Sequence, residues 1–368
     1  MIYLDYGATS FRKPEPVYRA VRQAMMTCAN PGRGGYPAAR LAADVVYGCR
    51  EAAGTLFDCL PEQVVLTSNC THGLNLAIHS CIRPGSTVVI SGFEHNAVTR
   101  PLHALGVDLR IAGRKLFDWE DTLEDFRCQI EGADAAVFTH VSNVFGYVLP
   151  VEQMAALCRE RGIPFILDAA QSAGTHRISL KDLGADFIAM PGHKGLLGPQ
   201  GTGLLLCKHG GEPLIYGGTG SFSREQTMPE ELPDRMEAGT LNVPGYAGLR
   251  EGLRYLNRVK PESLLRREHR LAEICIKGLR KAGMQVFAGP HQATTVSFRA
   301  GMDCEEAAQA LARQGIAVRA GLHCAPLAHE SAGTLESGTI RISVGYDTFD
   351  GQISTFLRAV SKLPGFPA

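Results

Sequence analysis

A chain of 368 residues that is 45% hydrophobic and 20% charged can bury a large core, and its length favours two domains over one. Lys plus Arg and Asp plus Glu both total 37, so no global field directs it to nucleic acid, anionic lipid or an acidic partner. The start, MIYLDYGATSF, has no basic region and no apolar region, and no apolar run nears the roughly 18 residues that cross a bilayer, so the reading is cytoplasmic with no membrane role. Eleven cysteines are scattered singly, and the odd number favours free thiols over disulfides. No CxxC or HExxH pair occurs; His323, Cys324 and His329 form the one tight soft-ligand cluster, and with no fourth ligand apparent no metal is expected.

From about residue 60, short β-rich runs alternate with helical patterns, as in βαβ units with a mostly parallel sheet. The predicted strands are 63–68, 86–91, 107–113, 135–141, 164–169, 186–191 and 201–208, with helices over 72–82, 119–130 and, after Pro150, 151–161. This predicts a doubly wound α/β domain whose ligands gather at the carboxyl ends of its strands. A Gly- and Pro-rich loop (210–245) leads to the helical run YAGLREGLRYLNR and a second helix over about 261–283. Strands at 294–298, 316–320 and 339–344, with helices at 304–314 and 350–362, then read as a smaller α+β domain. The division is residues 15–250 for the large domain, and 1–14 with 251–368 for the small one, which carries the loop around Cys324.

Lys194 follows a strand and lies among glycines in PGHKGLLGPQG, where the backbone approaches a ligand closely and the amine stays accessible. A lysine there forms a Schiff base with an aldehyde cofactor if burial supplies its neutral amine, although the same pattern also describes a surface lysine in a turn. Asp168 ends the apolar strand IPFILDA, where a carboxylate needs a cationic partner; a protonated pyridine nitrogen is one, and a helix N-cap role is the alternative. LTSNCTHGLN offers a helix N-terminus that favours an anion such as phosphate, or is simply capped. Cys324, after Gly321 and beside His323, has no apolar run to bury it and reads either as a nucleophile or as one more inert thiol. In TIRISVGY, Ile340, Ile342 and Val344 share one face and Arg341 and Ser343 the other, so Arg341 either clamps a carboxylate or faces solvent.

Together YLDYGATS, SNCTHGLN, FEHNAV, HVSNVFG, ILDAAQSAG, PGHKGLLGPQG, MEAGTLN, RAGLHCA and IRISVGY resemble the class V aminotransferase superfamily. Within it they resemble the cysteine desulfurases, and most closely the group with an RxGxHCA nucleophile loop. The resemblance runs nearly the whole chain. It implies the pyridoxal 5'-phosphate (PLP) transferase fold of type I, with Lys194 bonded to the cofactor, Asp168 on the pyridinium nitrogen, Gln171 on the phenolic oxygen and His95 stacked on the ring. Thr71 and His193, with Cys70 beside them, are implied at the phosphate, Asn143 at ring or substrate, and Arg341 at the substrate carboxylate. A homodimer with shared sites is implied too, with Thr240 and Arg33 acting from the partner subunit. The sequence departs from relatives at Pro191 and Cys70, which the resemblance implies near the phosphate, and at Tyr6 and Gly7, in the N-terminal motif from which the resemblance implies a lining of the substrate pocket.

The activity implied is conversion of L-cysteine to L-alanine, with Cys324 taking the sulfur as a persulfide that passes to an acceptor protein, for instance toward iron–sulfur cluster assembly. L-selenocysteine is a second possible substrate. The alternatives are a selenocysteine lyase or another class V lyase or aminotransferase, and, from a different class, a non-catalytic scaffold in a sulfur-transfer assembly.

Overall fold

The computed structural model describes residues 1–32 and 34–365. Strand β1 (Ile2–Tyr3) is followed by helices α1 (Glu15–Thr27) and α2 (Pro37–Phe57), both outside the sequence expectations, which began the βα alternation near residue 60. The chain then runs β2 (Val64–Thr67), α3 (Cys70–Cys81), β3 (Thr87–Ser91), α4 (Asn96–Leu105), β4 (Asp108–Ala112), α5 (Trp119–Gln129), β5 (Ala135–Thr139) and α6 (Val151–Arg161). It continues through β6 (Phe165–Asp168), the short α7 (Leu180–Leu183), β7 (Phe187–Pro191) and β8 (Gly203–Cys207). These strands form a seven-stranded sheet in the order β2-β8-β7-β6-β5-β3-β4, parallel except that β8 runs against both of its neighbours.

Residues of β5, β6 and β7 are buried on both faces, which is why they read as continuous apolar runs. Alternate residues serve different layers. Val89, Phe138, Leu167 and Ile188 join Phe57 of α2, Phe126 of α5 and Met154 of α6 on one face. Val88, Val137, Ile166 and Ala189 join Leu74 of α3 and Leu102 of α4 on the other. The sheet is thus covered on both faces, as a doubly wound α/β domain requires.

Helix α8 (Val243–Val259) starts three residues earlier than its apolar pattern suggests, because Asn242 caps it by accepting from the Gly245 amide. It leads into α9 (Pro261–Lys281), β9 (Gln285–Phe287), β10 (Thr295–Arg299) and α10 (Cys304–Ala312). The single strand expected at 316–320 is two: β11 (Ile316–Ala317) pairs in parallel with β1, whereas β12 (Arg319–Gly321) pairs with β13 (Thr339–Ser343), with α11 (Pro326–Ser331) between β12 and β13. Helix α12 (Asp350–Val360) closes the fold.

The second sheet, β12-β13-β10-β9, packs Val296, Phe298, Ile340 and Ile342 against α9, α10 and α12. Its other face is polar but also buried, because it lies against the segment that leaves β5. Ser297 donates to the Val144 carbonyl at 2.6 Å, and Arg341 to the Asn143 carbonyl at 2.9 Å. Nearby, the indole of Trp119 at the start of α5 donates to the Val148 carbonyl and stacks on His291, with ring centroids 3.7 Å apart and planes within 5°.

Candidate active site

A cavity of about 230 Å³ opens at the carboxyl ends of the parallel strands, where such sheets hold ligands. Asp168 ends β6 in its wall, 2% exposed. Its Oδ1 accepts from the Ala170 amide at 2.8 Å and from the Cys70 thiol at 3.5 Å. Among the described residues Oδ2 has no partner, so the carboxylate is fixed by one oxygen and has the other to offer.

Lys194 stands opposite on the loop after β7. That loop passes so close to the loop after β6 that a Cβ on Gly195 would lie 2.2 Å from the Ala173 carbonyl oxygen, and one on Gly174 (φ +87°) would lie 2.3 Å from the Gly195 carbonyl. Glycines at these two places let the lysine approach Asp168. Burial and the nearby Arg341 hold the Lys194 amine below the usual lysine range, partly opposed by Asp168, Cys70 and Asp5.

His95 caps α4, its Nδ1 accepting from the Ala97 amide at 3.0 Å. This bond places the proton of the neutral ring on Nε2, and burial lowers the ring's pKa. Asn69, Cys70 and Thr71 bring the N-terminus of α3 into the same wall. The Asn69 side chain accepts from the His72 amide, whereas the first-turn amides of a helix have no intrahelical partner. His193 lies beside them with Nδ1 3.1 Å from the Thr9 hydroxyl, and burial with Lys194 and Lys13 nearby lowers its pKa to about 4. Pro191 is also in this wall. Gln171 lines the cavity and donates to the Gly7 carbonyl at 2.9 Å.

Asn143 lines the same cavity, its Oδ1 buried and without a partner among the described residues. Arg341 does not line the cavity; it is 2% exposed rather than solvent-facing, and its guanidinium is already engaged, with Nη2 2.8 Å from Asp5 Oδ1 and Nη1 on the Asn143 carbonyl, leaving Nε buried and without a partner among the described residues. Cys324 is exposed on a tight loop where His323 (φ 51°) and Cys324 (φ 58°) are both left-handed. Two bonds tie the loop to the rim: the Asn96 amide donates to the Cys324 carbonyl at 2.8 Å and the Asn143 side chain to the His323 carbonyl at 2.8 Å.

The class-V aminotransferase family model matches residues 2–356. The chain belongs to the class-V aminotransferase family. Among its members, a probable cysteine desulfurase of Methanothermobacter thermautotrophicus is 30% identical over 99% of this chain and 95% of the relative. One from Pyrococcus abyssi is 30% identical over 99% and 94%. The apo structure of a cysteine desulfurase from Thermococcus onnurineus superimposes with a TM-score of 0.91 at 30% identity, covering 98% of this chain and 94% of that one. A cysteine desulfurase from Escherichia coli shares the fold, with a TM-score of 0.86 at 24% identity over 98% and 94%. The architecture is therefore the PLP-dependent transferase fold of type I.

Of the site residues expected from sequence, Lys194, Asp168, His95, Asn143, Gln171, Thr71, Cys70 and His193 meet in the one cavity. Thr240 is exposed in the loop before α8 and does not line it, and Arg33 lies outside the described residues. Sequence reasoning missed Asp5, which holds Arg341 from the YLDYG segment, and Glu94 beside His95. Glu94 is fully buried, accepts from the Ser91 hydroxyl and the Thr139 amide, and burial pushes its pKa up to about 8. A carboxyl directly after Phe93, just past the end of the apolar strand TVVIS, was the available signal.

Proposed function

We propose that the protein is a PLP-dependent cysteine desulfurase, converting L-cysteine to L-alanine with a persulfide formed on Cys324. The observation that carries this reading is the tethered loop: Cys324, its thiol exposed, lies on a loop whose Cys324 and His323 carbonyls are held by the Asn96 amide and by the side chain of Asn143, which lines the cavity that contains Lys194 and Asp168.

The donor set fits pyridoxal phosphate. Lys194 offers an amine of lowered pKa to its aldehyde, Asp168 a buried oxygen to the ring nitrogen, His95 a neutral imidazole to the ring, and the α3 N-terminus with the Thr71 hydroxyl donors to the phosphate, beside which the neutral His193 ring lies. When bound, the cofactor supplies an electron sink for a negative charge at the substrate α-carbon. The unpartnered Asn143 Oδ1 and Arg341 Nε are buried acceptor and donor for substrate or cofactor.

The roles of the chain's own groups follow. Lys194, once released, takes the α-proton of L-cysteine and later returns a proton. Arg341 binds the substrate carboxylate through the nitrogen capacity that Asp5 leaves. Cys324, as thiolate, attacks the substrate sulfur: a sulfur–sulfur bond forms as the carbon–sulfur bond breaks, the carbon keeps the electron pair and gains a proton, and alanine leaves. An acceptor protein then collects the sulfur.

The test is brief exposure of the PLP-loaded protein to L-cysteine, trapping with an alkylating agent, and peptide mass spectrometry. One extra sulfur on the peptide containing Cys324, with alanine formed in step, is expected. Sulfur on another cysteine, or amino-group transfer to a keto acid without persulfide, refutes the reading. Parallel assays with L-selenocysteine separate the lyase alternative.

A further inference from the structure

Helix α9 buries Leu271, Cys275 and Leu279, and one turn earlier the same stripe presents Glu268 where an apolar side chain would be expected. Glu268 is 3% exposed. Among the described residues its carboxyl has neither a hydrogen bond nor an ion pair. A buried charge without a partner is costly, so an isolated carboxyl of this kind keeps its proton. Burial pushes its pKa up to about 8, with Arg267 pulling the other way.

The carboxyl borders a second, smaller cavity of about 50 Å³. About 10–15 Å³ of such space holds one water, so there is room for a small cluster. Lys194 and Gln171 stand in the walls of both cavities; the cofactor cavity is otherwise bounded by the large sheet and its loops, whereas Glu268 and Tyr346 bound only the second. Hydroxyls of Ser10 and Thr175 line it as well, giving water the polar partners it needs. Lys194, Tyr6 and Tyr346 line the cavity together with Glu268, and the charged group that acts directly on its carboxyl is Arg267 on its own helix. Arg267 is turned to the Tyr346 and Thr348 carbonyls, and burial keeps Tyr346 neutral.

We propose that Glu268 is a positioning residue for Lys194: a proton store that the lysine draws on and refills through water in this second cavity. The inference rests on the reading of Lys194 as the cofactor-holding base. The transfer is balanced, since the carboxylic acid gives one proton through water to the neutral amine, leaving carboxylate and ammonium, and the reverse step restores both. Because the path runs on the small-domain side of Lys194, it leaves the cavity with Asp168 and His95 free for cofactor and substrate.

The experiment uses wild type, Glu268→Gln and Lys194→Ala, loaded with PLP where they bind it. Infrared spectra across neutral to alkaline pH should show in wild type the carbonyl stretch of a protonated acid that vanishes on the alkaline side. The band should be missing from Glu268→Gln, and its titration should be displaced in Lys194→Ala. The pH profile of α-hydrogen exchange with L-alanine, which needs no sulfur chemistry, should lose its alkaline limb in Glu268→Gln, with the neutral-pH rate down roughly tenfold. A profile superimposable on wild type, or a Glu268 band indifferent to Lys194, overturns the proposal. Should Glu268→Gln fail to fold, the wild-type and Lys194→Ala spectra still decide. Failure of the Lys194 reading shows separately, as wild-type protein without the visible absorbance of lysine-bound PLP.

Discussion

Buried carboxyls set the pH response of this protein at the scale of single residues. Glu268 is raised to about 8 in the fold, against about 4.3 in an unfolded chain. Below the lower value both states hold the proton and burial carries no ionisation penalty. Between the two values only the folded state holds it, so stability falls as pH rises and levels off above about 8. Glu268→Gln should therefore be more stable than wild type near pH 8, by on the order of a few kcal/mol, and nearly equal to it near pH 4, as urea midpoints would show. An advantage that grew toward acid would contradict the assignment.

Cys324 and Asp168 separate sulfur chemistry from proton chemistry. Cys324→Ser leaves Lys194, Asp168 and Arg341 untouched, so PLP binding and α-hydrogen exchange with L-cysteine should persist while alanine formation falls by roughly 100-fold or more. Wild-type alanine production by that variant would remove Cys324 from the mechanism. Asp168→Asn should still bind PLP but lose most α-proton exchange, since an amide oxygen holds the ring nitrogen's proton poorly.

Among the elements, the strands of the large sheet were legible because β5, β6 and β7 are apolar on both faces and bounded by turns. Helices α1 and α2 were not marked, since α2 buries a broad band of small residues, Ala42, Val45, Cys49 and Ala53, without the spaced large side chains that announce a stripe. Nor does local pattern reveal that IAVRA divides between two sheets, because its partners β1 and β13 are distant in sequence. The ion pair between Arg50 of α2 and Glu237 of the loop before α8, with nitrogens 2.8 and 2.7 Å from the two carboxylate oxygens, was equally hidden. Both residues are buried, so Arg50→Ala strands a charge and should cost about 3–5 kcal/mol by urea unfolding. Gly195→Ala drives its methyl into the Ala173 carbonyl and should lower PLP affinity, read by titrating the bound cofactor's absorbance, while Gly210→Ala, which meets nothing within 4 Å, should not.

At the scale of the whole molecule, Tyr18, Met25, Met26 and Tyr47 expose apolar side chains on α1 and α2, and Ile215, Tyr216 and Phe222 do so in the loop before α8. Apolar exposure of this extent favours association. We expect a two-fold dimer by sedimentation, and mixing Lys194→Ala with Thr240→Ala subunits should restore some activity if Thr240 serves the partner's site. No recovery after demonstrated exchange would count against sites shared between subunits. The site itself was legible in the sequence where residues sit at a strand end, as Asp168 does, or on the glycine-rich loop just after one, as Lys194 does. The engagement of Arg341 by Asp5 was not, since 336 positions separate them and only the packing of β13 against the chain's start joins them.

The stack of Trp119 on His291 gives the protein a built-in optical gauge. Trp119 is the chain's sole tryptophan, so its emission comes from one place: the contact between α5 on the large sheet and the turn before β10 of the second sheet. Sliding of one sheet against the other by even a few ångströms separates rings that now lie 3.7 Å apart and changes the polarity around the indole. Stopped-flow fluorescence excited at this tryptophan, with His291→Ala as the unstacked reference, would time any closure on L-cysteine without an attached dye.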